Sequence, residues 1–230
     1  MKPYPELETA LGIQFKNKEL LKQAFLHRSY LNEHAGLGMN HNERLEFLGD
    51  AVLELVVTDY LYKTFTNKPE GELTAYRAAL VNTISISDAA RRLHFEKYLL
   101  LSKGEAKDTG KARSYILANT FEAFIGALYL DQGYDAAAKF IADQLFPMLA
   151  EIITKGLWRD AKSYVQEKAQ DVESTTPVYK VLRESGKDHE KLFTVGIFFG
   201  TKQIAEGSGS SKQEAEQAAA RKALEVRGWN

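Results

Sequence analysis

The stretch from Asn42 to Leu53 reads Asn-Glu-Arg-Leu-Glu-Phe-Leu-Gly-Asp-Ala-Val-Leu. Leu45, Leu48, Val52, Leu55 and Val56 recur at helical spacing, which predicts an amphipathic helix with this set as its apolar stripe. Glu43, Glu46 and Asp50 stand at i, i+3 and i+7. At about 100° per residue they fall within an arc of roughly 60°. Carboxylates crowded onto one helix face repel and raise each other's pKa unless a cation holds them ionised. Three acids alone also describe a solvated helix face, so the rest of the chain must decide.

Composition sets wide bounds. The chain has 230 residues, 44% apolar and 27% charged, which suits a soluble globular protein of one large or two small domains. It has no cysteine, which excludes a disulfide framework, a thiolate metal site and a thiol nucleophile. The first residues hold no apolar targeting core, and no apolar run approaches membrane-spanning length. A soluble cytoplasmic protein with no membrane partner is expected. Thirty basic residues balance 31 acidic ones. Divided at Gly156, the first part has 18 basic against 20 acidic residues and the second 12 against 11. Nucleic-acid binders usually show a basic excess. Any RNA binding here must rest on local placement of Lys and Arg.

From Leu7 to about Ile153 the apolar spacing is mainly helical. Leu20, Leu21, Ala24 and Phe25 form one stripe, and helices are expected around Leu73 to Leu93, Ile116 to Leu130 and Tyr134 to Ile153. The polar stretch from Ser102 to Ser114 is expected as a loop. After Gly156 the pattern changes. Asp160 is a candidate N-cap for a helix of about ten residues carrying Tyr164, Val165 and Ala169. Pro177 opens an extended run to Leu182, and Glu184 to Glu190 is expected as a turn. Phe193, Val195, Ile197 and Phe199 alternate as a strand, and Gly200 turns the chain into a short strand over Lys202 to Glu206. Ser211 to Arg227 is a strong helix former.

The twelve residues from Asn42 resemble the signature of the ribonuclease III family, Mg²⁺-dependent endonucleases that cut double-stranded RNA. Ile116 to Asp131 resembles the family's second motif, and the α-β-β-β-α order after Gly156 resembles a double-stranded-RNA-binding domain. The fold expected is therefore multidomain: an all-α catalytic domain over 1–154, a linker over 155–159 and an RNA-binding domain over 160–228. The resemblance implies Glu46, Asp50, Asn119 and Glu122 as the metal set, with Asp50 and Glu122 catalytic. Glu43 and Glu70 match auxiliary acids. Mg²⁺ suits such hard oxygen donors, and Mn²⁺ is an expected substitute. No organic cofactor is expected.

One position departs from the pattern. The family usually has Asp where this chain has Asn119, so the set carries three formal negative charges instead of four and should hold its metal less tightly. Gly126, one turn beyond Glu122, would allow close approach of the facing helix. His27 matches a position of structural role, and His41 is read as a capping or packing residue. Lys103, Lys107, Lys111 and Arg113 form either a solvated loop or a phosphate contact.

Phe47 lies roughly 40° from Glu43 on the wheel, beside the acidic face, where the monomer's core does not account for a large aromatic. The family pairs through this position, so a homodimer is expected. For duplex RNA, the resemblance implies Ser163, Gln166 and Glu167 on one helix face, the Asp188-His189 turn, and Ser210, Ser211 and Lys212 at the start of the last helix. Gly207-Ser208-Gly209 before that helix is read as a backbone nest. The products implied are 5′-phosphate ends with short 3′ overhangs, in rRNA and mRNA processing. Two other readings stay open: a catalytically weakened RNA-binding or ribosome-associated relative, because of Asn119, and a helical enzyme acting on a small phosphorylated molecule.

Overall fold

A computed structural model describes residues 4–34, 36, 38–186 and 191–229. The chain divides into two compact units, Met1–Lys155 and Gly156–Asn230. The first is helical: α1 (Tyr4–Leu11), α2 (Lys18–Ala24), α3 (Arg28–Glu33), α4 (Glu43–Thr64), α5 (Glu70–Leu80), α6 (Thr83–Arg92), α7 (Lys111–Gln132) and α8 (Tyr134–Thr154). None of the described helices is long and apolar enough to cross a membrane.

α7 is the axis of the first unit. Ile116, Leu117, Ala118, Phe121 and every residue from Ala123 to Leu128 are buried, so the middle of this helix sits inside the others. Phe121 and Phe124 join Phe25, Phe95 and Phe140 in an aromatic cluster, with Phe124 and Phe140 centroids 4.9 Å apart. α4 crosses α7 at two glycines. A Cβ on Gly49 would overlap the Glu122 carbonyl oxygen, and one on Gly126 would overlap that of Leu45. The backbones touch at this crossing, as Gly126 led one to expect.

Several local expectations shift. Leu73 to Leu93 is two helices, because Asn82 accepts from the Ser85 N–H at 2.9 Å and caps a new start after Val81. The polar stretch contains a 3₁₀ turn over Glu105–Lys107, and its last four residues are the first turn of α7. Leu55, placed in the core stripe from its spacing, is 57% exposed. Gly49 takes the contact position instead, and the buried face runs Leu45, Gly49, Val52, Leu53, Val56.

The second unit is α9 (Ala161–Glu173), β1 (Pro177–Ser185), β2 (Leu192–Phe199), β3 (Lys202–Gly209) and α10 (Lys212–Arg227). Asp160 caps α9 by accepting from the Ser163 N–H at 2.8 Å. The helix runs 13 residues, longer than its apolar spacing suggested. The sheet is antiparallel in the order β1-β2-β3. Val165, Ala169, Ile197, Ala205, Ala219, Ala220 and Ala223 form the core between sheet and helices. The small residues on α10 let the helix lie close to β3.

That closeness corrects one reading. Gly207, Ser208 and Gly209 are strand residues, paired with Val195, Thr194 and Phe193, and do not form a nest. A Cβ on Gly207 would overlap α10 at Ala219, and one on Gly209 would come within 2.6 Å of the Glu214 Cβ. The glycines are there for helix-on-strand contact. β1 likewise extends to Ser185, so Glu184 and Ser185 belong to the strand and not to the turn.

Candidate active site and RNA-binding surface

The Gly49–Gly126 crossing sets the geometry of the acidic face. On α4, Glu43 and Asp50 are exposed and Glu46 is half-buried. On α7, Asn119 and Glu122 are half-buried. Because the two backbones touch, side chains one turn either way on each helix face one another.

Electrostatics records the result. Burial pushes the Glu122 carboxyl up to about 8, and the charges of Asp50 and Glu46 push the same way. Glu46 is also raised, chiefly by burial and then by Glu43, while the Asn119 side chain opposes the shift by favouring its ionised form. Glu46, Asp50, Asn119 and Glu122 are therefore one interacting group, two from each helix. Within the described residues, no three His, Cys, Asp or Glu side chains are gathered closely enough to cage an ion by themselves. The donor set is three carboxylates and an amide, all hard oxygen donors of the kind Mg²⁺ takes. Its mutual repulsion and burial fit a cation partner.

Glu43 acts on Glu46 by its charge and is itself paired at the rim of that group. The Arg28 Nη2 donates to its Oε2 at 2.7 Å, and the His41 Nδ1 lies 3.7 Å from the same oxygen. Glu70 is the first residue of α5, where its carboxylate accepts from the Thr74 hydroxyl at 2.8 Å. It lines a cleft with Thr58, Leu61, Tyr62 and Arg77, and no interaction among the described residues joins it to the acidic face. His27 caps α3: its Nδ1 accepts from the Ser29 N–H and from the Ser29 hydroxyl at 2.8 Å. Arg113 braces the basic loop, donating to the Glu105 and Asp108 carbonyls at 2.8 and 3.0 Å.

The chain's first unit matches the family model described as ribonuclease-III-like over residues 17–149. The second matches the double-stranded RNA binding motif over 161–227. Ribonuclease 3 of Latilactobacillus sakei is 46% identical over 96% of this chain and 95% of its own length. The chain belongs to the ribonuclease III family. Ribonuclease 3 of Enterococcus faecalis is likewise 46% identical, covering 95% of each chain. A solved nuclease domain of the Campylobacter jejuni ribonuclease III is 40% identical with a TM-score of 0.55, over 62% of this chain and 97% of that one. That structure is described for flexibility in a region involved in dimer formation.

The family's RNA-binding motif makes the second unit the place to locate the remaining candidates. Ser163, Gln166 and Glu167 are exposed on α9 at i, i+3 and i+4, one face of the helix. At the start of α10, Ser210 donates its N–H and hydroxyl to Glu214 at 2.9 and 2.6 Å, and the Ser211 hydroxyl accepts from the Glu214 N–H. Ser211 thus caps α10, and Ser210 is tied to the Glu214 carboxylate. Lys212 lies 3.6 Å from Glu184 and over the Phe193 ring. His189 and its neighbour Asp188 fall outside the described residues.

Sequence reasoning missed four participants. Gly49 was quoted but not read as the contact point. Arg28, beside His27, pairs with Glu43. Ser29 and Glu33 bind the start of the basic loop. The Gly49/Gly126 pair one turn from acids on both helices was the available signal for the first; nothing local announced the others.

Proposed function

We propose that this chain cleaves double-stranded RNA on the α4–α7 acidic face, and that the single observation carrying this is the mutual coupling of Glu46, Asp50, Asn119 and Glu122 at the glycine crossing. A divalent cation of the Mg²⁺ type, with Mn²⁺ as substitute, would be held by those four and would neutralise the phosphate and activate the attacking water. Asp50 and Glu122 are the catalytic carboxylates. Glu122, buried and disfavoured as an anion, would lose its proton to solvent as a cation bound. Asn119 supplies an oxygen without charge, so loading needs a higher metal concentration than an all-carboxylate set would. Glu43, oriented by Arg28, and Glu70 are auxiliary. The products are 5′-phosphate ends with short 3′ overhangs, as in rRNA and mRNA processing.

A homodimer completes this reading. α4 has a second apolar stripe: Phe47, Leu55 and Tyr62 are 81%, 57% and 74% exposed and fall within about 80° of each other on the wheel. An exposed aliphatic and aromatic stripe beside an acidic site is an interface by composition. A two-fold pair places two equivalent sites on one duplex. RNA is held by the Ser163, Gln166, Glu167 face of α9 and by Ser210, Ser211 and Lys212, which fit shape and phosphate recognition of an A-form helix.

Asn119 favours a second reading, a relative that binds duplex RNA and cuts it poorly. A Mg²⁺ titration with long duplex RNA, run beside Asn119→Asp, tests both. Cleavage by the parent at high Mg²⁺, with half-saturation lowered in the variant, supports the nuclease. Cleavage by Asn119→Asp alone makes the parent a binder.

A further inference from the structure

α3 is an anomaly. It has six residues, too few to be stable alone, and none of them is buried. A helix with no fully buried residue leans on polar bonds, and these run to two separate places.

One set reaches the basic loop. The Ser102 N–H donates to the Ser29 Oγ at 3.0 Å, and the Ser29 hydroxyl in turn donates to the His27 Nδ1. The Lys103 N–H donates to both carboxylate oxygens of Glu33 at 3.2 Å. The first two residues of the loop are therefore fixed by α3, and Arg113 braces its far end.

The other set reaches the acidic helix. Arg28 binds Glu43, the first residue of α4, through a charge-assisted bond of 2.7 Å. Behind α3, the backbone is stitched on both sides. The His27 N–H donates to the Leu100 carbonyl and the Leu100 N–H to that of Phe25. The buried Asn42 donates from its backbone to Leu26 and from its amide to Ala24. Loop, α3 and the start of α4 form one connected polar assembly.

We propose that α3 is a positioning helix for cleavage, in which Arg28 fixes Glu43 at the rim of the acidic face while Ser29 and Glu33 fix the start of the basic loop, so that both meet one RNA duplex in a set register. This rests on the acidic face being the cleavage site. Arg28 and Glu43 then govern the chemical step, and Ser29 and Glu33 govern the hold on substrate.

The test uses the full chain with long duplex RNA at saturating Mg²⁺, measuring kcat, KM and melting temperature. Arg28→Met is expected to lower kcat about tenfold with KM near the parent's, and Arg28→Lys to recover most of the loss. Combining Arg28→Met with Glu43→Gln should cost no more than the larger single change, as expected for one coupled pair. Ser29→Ala with Glu33→Ala should raise KM about tenfold and leave kcat close to the parent's. The proposal is overturned if all these variants stay within about twofold of the parent, or if kcat and KM worsen together in step with melting temperature. Glu122→Gln separates the two levels. If it cuts like the parent, the acidic-face reading fails and α3 falls with it. If it is dead while the α3 variants show no split, only α3 is refuted.

Discussion

The acidic face of α4 and α7 and the start of α10 both gather polar side chains at a helix, yet they differ in what those side chains have left to do. At α10, Ser210, Ser211 and Glu214 satisfy one another, and Lys212 sits beside Glu184. On the acidic face, Glu46, Asp50 and Glu122 oppose one another across a backbone contact, and Glu122 is pushed up to about 8 by burial first and like charge second. Opposed, part-buried carboxylates of this kind are the pattern that the proposed cation site would use. The α10 groups are satisfied within the fold, and the acidic groups are not.

Changes at the crossing should have the largest effect. Gly49→Ala drives a methyl into the Glu122 carbonyl, backbone against backbone, and should destabilise the first unit by about 3 kcal/mol or more in chemical denaturation. A variant as stable as the parent would mean that the helices do not meet as described. Next comes the exposed stripe. Phe47→Glu should raise the dimer dissociation constant by more than about thirtyfold and abolish paired-strand cuts, read by light scattering and product sizing. An unchanged dimer would remove the interface from α4.

A pH experiment sharpens the comparison further. The folded pKa of Glu122, about 8, lies above its ordinary value of 4.5. Its contribution to stability is then fully present below the ordinary value and is lost as pH rises through about 8. Without divalent metal, the parent should melt lower at about pH 9 than at about pH 6, and Glu122→Gln should remove most of that fall. Equal slopes for the two proteins would show that Glu122 ionises freely. The smallest effect belongs to α10: Lys212→Ala should weaken duplex binding uniformly and reduce its salt slope by about 1.

Much of this was legible in residues, for physical reasons that differ by place. The acids of α4 obey helical spacing, and the alternation from Phe193 to Phe199 fixed β2. The two-unit order follows from where periodicity changes near Gly156. What failed was what spacing does not encode. Leu55 has core spacing but is 57% exposed. Gly207 and Gly209 read as part of a backbone nest, yet they are strand residues that make room for α10. The bonds from Glu214 back to Ser210 and Ser211 are likewise not announced by spacing. Glu43 is set by Arg28 on a neighbouring element, which a linear pattern does not reveal.

The most direct test of the acidic face as the cleavage site is single-turnover cutting of long duplex RNA by Asp50→Asn beside the parent, at saturating Mg²⁺, with RNA binding measured on the same samples. The account predicts binding close to the parent's and cleavage slowed by at least about a hundredfold. Cleavage at the parent's rate with binding intact would contradict it.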